Sequence, residues 1–204
     1  MSDTPKSGDG TLAYYSGNAE AYAAREVSGR NRHFIETFAR DIAPGGAILD
    51  LGCGAGWAAS MFERMGYDAH ACDGCPELAA IASRKLKRPA RVVRLEDIDD
   101  ASIYDGIFAN AVLHHLPKDA IPGAMARISR ALKPGGRLFA SFKQGEGEHA
   151  DKVGRFYSYC MPQELERLVE ATPGLAFDRI ETQEGLDFTG EPQVFLGVYA
   201  HRTA

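Results

Sequence analysis

The 204-residue chain lacks any apolar run that approaches the ~18 residues of a membrane-spanning helix. It also lacks a basic excess. Its 23 Lys and Arg stand against 28 Asp and Glu, a formal charge of -5, so no global positive field gathers phosphate backbones. That balance speaks against a nucleic-acid partner, though not against a local patch. The first ten residues, MSDTPKSGDG, lack the apolar core of a secretory signal and read as a flexible polar leader, residues 1–10. Internal repeats, low-complexity linkers and a second core are missing too, so residues 11–204 read as a single domain. Cysteine is scarce, at Cys53, Cys72, Cys75 and Cys160. Cys72 and Cys75 form a CxxC, but no second CxxC or His pair accompanies it at metal spacing. No metal is expected, and two small half-buried thiols beside a strand end is the plain reading. This cysteine usage fits a reducing, cytoplasmic compartment.

What the chain has is alternation. TLAYYSGNAEAYAAREVSGRNRHFIETFARDI, residues 11–42, carries apolar residues at helical spacing and is interrupted near Ser28-Gly29, which predicts two helices. AILDL at 47–51 is a continuous apolar run, as a strand buried on both faces requires. Helix 56–66, strand 68–72, helix 76–87, strand 90–95, strand 104–113, helix 119–133 and strand 137–142 follow. Strands alternating with helices of this length imply parallel βαβ units with right-handed crossovers. Beyond residue 143 the order changes to a Gly- and Glu-rich loop, a helix at 161–172, and two strands at 175–185 and 193–202 with no helix between them. The expected architecture is therefore a three-layer α/β sandwich around a seven-stranded, mostly parallel sheet with an antiparallel C-terminal hairpin.

Three glycines, Gly52, Gly54 and Gly56, arrive at every second residue after the first strand. In an open parallel sheet ligands sit beyond the carboxyl ends of the strands. Glycine there lets a ligand approach the main chain with no Cβ in the way, and the following helix offers free N–H groups. The dinucleotide fingerprint GxGxxG would place its third glycine at position 57, where the chain has Trp57. A pyrophosphate would also sit badly against Asp50, whereas a cation would be stabilised. Asp50 and its glycines point to a positively charged nucleoside with an amino acid tail. Asp73 ends the second strand, near the ~20-residue offset at which an acid grips ribose hydroxyls; the alternative is a turn or N-cap residue.

ILDLGCGAG, CDGCPELAAIA, YDGIFANAVLHHL and ALKPGGRLFASF, in that order over residues 47–142, resemble the successive signatures of class I S-adenosylmethionine-dependent methyltransferases. SFKQGEGE, GRFYSY and ELERLVE further resemble small bacterial methyltransferases of the tellurite-resistance or generic methyltransferase-domain type. The resemblance implies a Rossmann-like fold, S-adenosylmethionine as cofactor and S-adenosylhomocysteine as product. It implies a lid at 11–42, a cofactor core at 47–142, and an acceptor loop, helix and edge hairpin at 143–204. Gly52, Cys53 and Gly54 would pass under the methionine moiety, Asp50 would face its ammonium, and Asp73 would hold the ribose hydroxyls with Gly74 and Cys75 lining the adenosine. Leu95 and either Glu96 or Asp97 would bind adenine, and Asn110 would end the fourth strand beneath the sulfonium. Trp57 departs from the polar residue expected after the glycines.

Methyl transfer needs alignment more than a base. Alignment can supply about 7–11 kcal/mol, a general base only ~10²–10⁴-fold. His114 and His115 follow the fourth strand where the acceptor pocket should open and are the candidate bases; the bland reading is a helix cap or core packing. NAVL at 110–113 lacks the prolines and aromatic of an Asn-Pro-Pro-Tyr amine pocket, which lowers the weight of adenine or glutamine as acceptors. Lys143, Arg155, Tyr157 and Tyr159 either bind an anionic acceptor or lie in a solvated loop and a half-buried lid. Tyr14 and Tyr22 are eight apart, which on one helix places them on a common lid face, and Arg25 or Arg30 could then reach the methionine carboxylate. The expectation is an enzyme, EC 2.1.1.-, acting on a small-molecule acceptor, with no nucleic acid and no membrane. A protein or RNA methyltransferase, a non-catalytic cofactor-binding subunit and a nicotinamide oxidoreductase are the competing readings.

Overall fold

A computed structural model describes residues 9–187 and 190–204. Most of the leader assigned to residues 1–10 lies outside the described residues, and Asp9 and Gly10 open a helix instead. Seven strands form the main sheet: β1 (Ala47–Leu51), β2 (Asp68–Asp73), β3 (Arg91–Val92), β4 (Tyr104–Ala109), β5 (Leu132–Lys143), β8 (Leu175–Leu186) and β9 (Pro192–Arg202). Their spatial order is β3-β2-β1-β4-β5-β9-β8. The pairings from β3 to β5 are parallel, and β9 runs antiparallel to both β5 and β8. The expected sheet is the observed one. Chain order reverses between β1 and β4, which is where such folds open a crevice.

Strand alternation assigns each side chain to a layer. Ile48 and Phe108 face one side, where α3 (Gly29–Ala39) and α4 (Trp57–Arg64) bring Phe34, Phe38 and Phe62 against Phe139. Phe108 and Phe139 stack there with centroids 4.7 Å apart. Leu49, Ile107 and Leu138 face the other side, under Met125 and Ile128 of α6 (Ile121–Ala131) and Leu165 of α7 (Pro162–Glu170). Asp50 falls on the Ile48 face and so points at the first turn of α4. Among the described residues no helix is long and apolar enough to cross a membrane.

Four local expectations are corrected. The N-terminal segment forms three helices, α1 (Asp9–Gly17), α2 (Ala19–Ala23) and α3, because the chain breaks at Gly17-Asn18 as well as at Ser28, whose hydroxyl caps α3 by accepting from Asn31 N–H. The helix α5 (Pro76–Ser83) stops short of the expected Lys87. The third strand keeps only Arg91 and Val92 of the six residues read as a strand, since it lies at the sheet edge and both are exposed. The Gly- and Glu-rich segment is not plain loop: β6 (Glu148–Ala150) and β7 (Phe156–Ser158) pair in a small antiparallel hairpin.

Candidate active site

Two cavities meet at Gly52, the first residue after β1. The first is lined by Thr11, Leu12, Tyr15, Asp73, Gly74, Leu95, Glu96, Val112 and His115. The second is lined by Tyr22, Asn31, Asp50, Cys53, Trp57, Phe108, Asn110 and Ala111. Gly52 belongs to both walls. It has φ +69°, and a Cβ there would come within 2.4 Å of Val112 Cγ2, so neither the conformation nor the space admits a side chain. Gly54 (φ +53°) is covered by the Tyr22 ring, 3.0 Å from where a Cβ would stand.

Each cavity holds one buried carboxylate. Asp73 accepts N–H bonds from Gly54 and Cys75, both at 2.8 Å, on its two oxygens. These bonds bind the glycine turn to the end of β2. Burial raises the Asp73 carboxyl above its usual range while the two amides oppose the rise. Asp50 accepts one amide, from Ala59 at 2.9 Å. Burial pushes its carboxyl up to about 7, the Ala59 N–H works against this, and the nearby Asp73 charge adds to it. A carboxyl held there is poised to ionise fully once a cation arrives.

Of the residues named from sequence, Asp50, Gly52, Cys53, Asp73, Gly74, Leu95, Glu96, Asn110, Tyr22 and His115 line one cavity or the other. Glu96 lines the first and Asp97 does not. Gly54 and Cys75 act one step back, through their amides on Asp73. Asn110 is fixed by Ser141, whose hydroxyl donates to Asn110 Oδ1 at 2.7 Å and accepts from Ala111 N–H at 2.8 Å. Ala111 sits at φ +57°, in the left-handed region a non-glycine residue rarely adopts.

Three assignments change. Tyr14 and Tyr22 share no helix face, since the chain breaks between them; Tyr15 packs edge-on against Tyr22 at 5.3 Å, and Tyr14 turns toward Arg155 at 5.1 Å. His115, rather than His114, reaches a cavity wall. Its Nδ1 bonds the Phe156 carbonyl at 2.7 Å, which makes Nδ1 the protonated nitrogen. Burial lowers it to about 4. His114 lies behind it, 2% exposed, with Nδ1 lacking a partner among the described residues. Burial, then His115, Lys143 and Arg155, hold it well below the ordinary imidazole range. Both histidines are neutral at physiological pH. Arg30 is no carboxylate clamp either: its guanidinium covers the Phe195 ring of the edge hairpin at 3.4 Å.

The solvated-loop reading of Lys143 and Arg155 fails as well, since they are 4% and 1% exposed. Arg155 is held by Asp151 at 2.8 and 2.6 Å, and Lys143 by Asp187 at 3.1 Å. Thr11, Leu12, Tyr15, Asn31 and Val112 were missed from sequence. Only Tyr15 carried a signal there, as the ring beside Tyr14. Thr11 and Leu12 reach the site because α1 docks on the β6–β7 hairpin, where Phe156 N–H donates to Thr11 Oγ1 at 2.9 Å, whereas Asn31 comes from α3 and Val112 from the segment after β4.

Residues 23–187 match the family model described as a methyltransferase domain. The chain belongs to this methyltransferase-domain family. Among curated proteins, the methyltransferase domain is 33% identical over 105 residues to the ubiquinone biosynthesis O-methyltransferase of Xanthomonas oryzae pv. oryzae, across 48% of this chain and 43% of that protein. It is 34% identical over 105 residues to the Xylella fastidiosa protein of the same name, across 48% and 42%. The matched stretch thus spans less than half the length of these relatives. Among solved structures, 1,6-didemethyltoxoflavin-N1-methyltransferase of Burkholderia thailandensis has a TM-score of 0.76 at 21% identity, over 100% of this chain and 92% of that one. A [4+2]-cyclase reaches 0.73 at 16% identity over 100% and 98%. Fold likeness at this distance establishes architecture and leaves the chemistry to the site.

Proposed function

We propose that the chain transfers a methyl group from S-adenosylmethionine to a small-molecule acceptor, in the cytoplasm. The observation that carries this is the pair of cavities meeting over Gly52, each with one buried carboxylate. A single ligand with a diol at one end and an ammonium at the other would satisfy both acids and run over main chain that has no side chain to move. Asp73, aided by Gly74, Leu95 and Glu96, would hold the adenosine end; Asp50, Asn31 and Asn110 would hold the amino acid end, with Trp57 and Tyr22 as the apolar roof. A dinucleotide would bring phosphate charge to Asp50 and lose affinity by it. The acidic balance of the chain favours a small acceptor over RNA.

Bound there, the cofactor supplies an activated methyl on a sulfonium that leaves as a neutral thioether. What the protein's own groups contribute is orientation and exclusion of water. Asn110 and the Ser141 hydroxyl fix the floor, while Tyr15 and Tyr22 of the N-terminal helices cover the groove and keep solvent from it. His115, neutral and with Nε2 left as its acceptor nitrogen, suits orienting an acceptor O–H or N–H better than storing its proton, because an imidazole that titrates at about 4 is a weak base. Calorimetric titration tests the reading directly. Binding of S-adenosylhomocysteine without binding of NAD is expected, and the reverse would overturn it. Transfer of labelled methyl groups into a metabolite extract, rather than into protein or RNA, is the expected companion result.

A further inference from the structure

Alternate residues of an antiparallel ladder turn both main-chain groups away from the partner strand. In the β6–β7 ladder Asp151 N–H donates to the Arg155 carbonyl, so the next residue, Phe156, turns its N–H and carbonyl outward. The N–H donates to Thr11 Oγ1 of α1 at 2.9 Å, and the carbonyl accepts from His115 Nδ1 at 2.7 Å. Thr11 and His115 both line the first cavity. The hairpin also carries the chain beyond the histidine. Ser158 Oγ donates to the Leu116 carbonyl at 2.7 Å, and Lys118 N–H donates to Glu148 at 2.6 Å. The histidine turn and the hairpin are thus one piece, and α1 is docked on its edge.

The N-terminal helices contribute Thr11, Leu12 and Tyr15 to the first cavity and Tyr22 to the second. A ligand laid over Gly52 and Gly54 meets the Tyr22 ring, which stands 3.0 Å from where a Gly54 Cβ would be. These helices must therefore lift for it to enter or leave. At nine and five residues they are too short to persist without their contacts. The Glu20–Arg84 pair is exposed and holds little. Small apolar side chains pack around Ala19, and on the hairpin side Arg155 meets the Tyr14 ring. The Thr11–Phe156 bond joins two buried residues.

We infer that Thr11 is a positioning residue: its hydroxyl oxygen latches the N-terminal helices to Phe156, whose carbonyl in turn fixes the His115 tautomer, so that closing the roof and aiming His115 Nε2 at the site are one event. With Thr11 withdrawn the Phe156 amide turns to water, and the strand edge that aims the carbonyl at His115 loses an anchor. The inference rests on the methyltransferase reading above.

Trp57, the chain's single tryptophan, lies 5.0 Å from the Tyr22 ring of α2, so its fluorescence reports the roof. The full chain is loaded with S-adenosylhomocysteine and release is followed after rapid dilution. Thr11→Val keeps the shape and loses the acceptor oxygen; it should speed release by about three- to tenfold. Thr11→Ser, which keeps the oxygen, should stay within about twofold of wild type. Long-range proton–nitrogen spectra of the wild-type complex should show His115 as one tautomer, protonated at Nδ1. The valine variant should show a mixture, and the serine variant should restore the single form. Wild-type release from Thr11→Val, equal acceleration in Thr11→Ser, or an unchanged His115 tautomer in Thr11→Val would each overturn the inference. If the valine variant does not fold, amide exchange on wild type decides. S-adenosylhomocysteine should then slow exchange of Phe156 N–H and of the α1 amides together, and protection of α1 without Phe156 would overturn it. Failure of wild type to bind S-adenosylhomocysteine would instead strike the cofactor reading.

Discussion

The two sides of the crevice are built by different means. On the β1–β2 side the main chain does the holding: the glycine turn donates its amides inward, Gly52 and Cys53 to the Cys72 carbonyl and Gly54 to Asp73. On the β4–β5 side, side chains do it: Ser141 on Asn110, Asp187 on Lys143 and Thr11 on the Phe156 amide join segments far apart in the chain, and Asp151 holds Arg155 four residues away. The first arrangement accommodates one ligand shape and resists variation, because altering it means altering backbone. The second can be rebuilt residue by residue for a new acceptor without disturbing the fold, as expected where one scaffold serves many substrates.

The sharpest way to break the contrast is at Asp73. Replacing it by Ala leaves the Gly54 and Cys75 amides without their acceptor and removes the proposed ribose contact together. Affinity for S-adenosylhomocysteine should fall by at least about 100-fold, since bonds to a charged group are worth about 1.5–3 kcal/mol each. Calorimetry that finds affinity unchanged would remove Asp73 from the site. Next is Gly52→Ala, which forces a left-handed alanine into Val112. Destabilisation by about 1–3 kcal/mol is expected in urea unfolding, together with weaker cofactor binding, and a variant as stable as wild type would show that the turn has room to spare.

The smallest effect, and the one that separates the two carboxylates, is pH-dependent. In the ligand-free protein Asp50 takes up a proton as pH falls through about 7, whereas a bound ammonium needs it ionised. Cofactor affinity should therefore be full above pH 7 and decline below it, by at most about tenfold per unit. Asp50→Asn should flatten that slope. It should also raise the ligand-free melting temperature at pH 8, because a carboxyl whose folded value lies above its unfolded one opposes folding once pH exceeds the unfolded value. A slope that persists in Asp50→Asn would assign the titration to another group.

The contrast also explains what was legible beforehand. The glycine turn, both strand-tip acids, Asn110 and the strand–helix order could be read because each is local: a period of two or of 3.6, or a residue type at a fixed offset from a strand end. Tyr14 was paired with Tyr22 wrongly because a helical period holds only while the helix continues, and Gly17-Asn18 interrupts it. Spacing along the chain does not distinguish His114 from His115 for a similar reason. They are neighbours in a single 3₁₀ turn, Leu113–His115, and which one faces the cavity depends on the Phe156 carbonyl, 41 residues further along the chain.

By itself the sequence determined the layered sheet, the bare turn at its switch point and the two acids flanking that turn, because hydrophobic period and backbone conformation are properties of neighbouring residues. Only the tertiary structure decided that two cavities share Gly52 as a wall, that Glu96 rather than Asp97 faces the first, and that Lys143 lies buried over Tyr157 against Asp187. Those outcomes depend on which distant segments share space and on how much water they exclude, and burial of that kind leaves no mark on the spacing of residues along a chain.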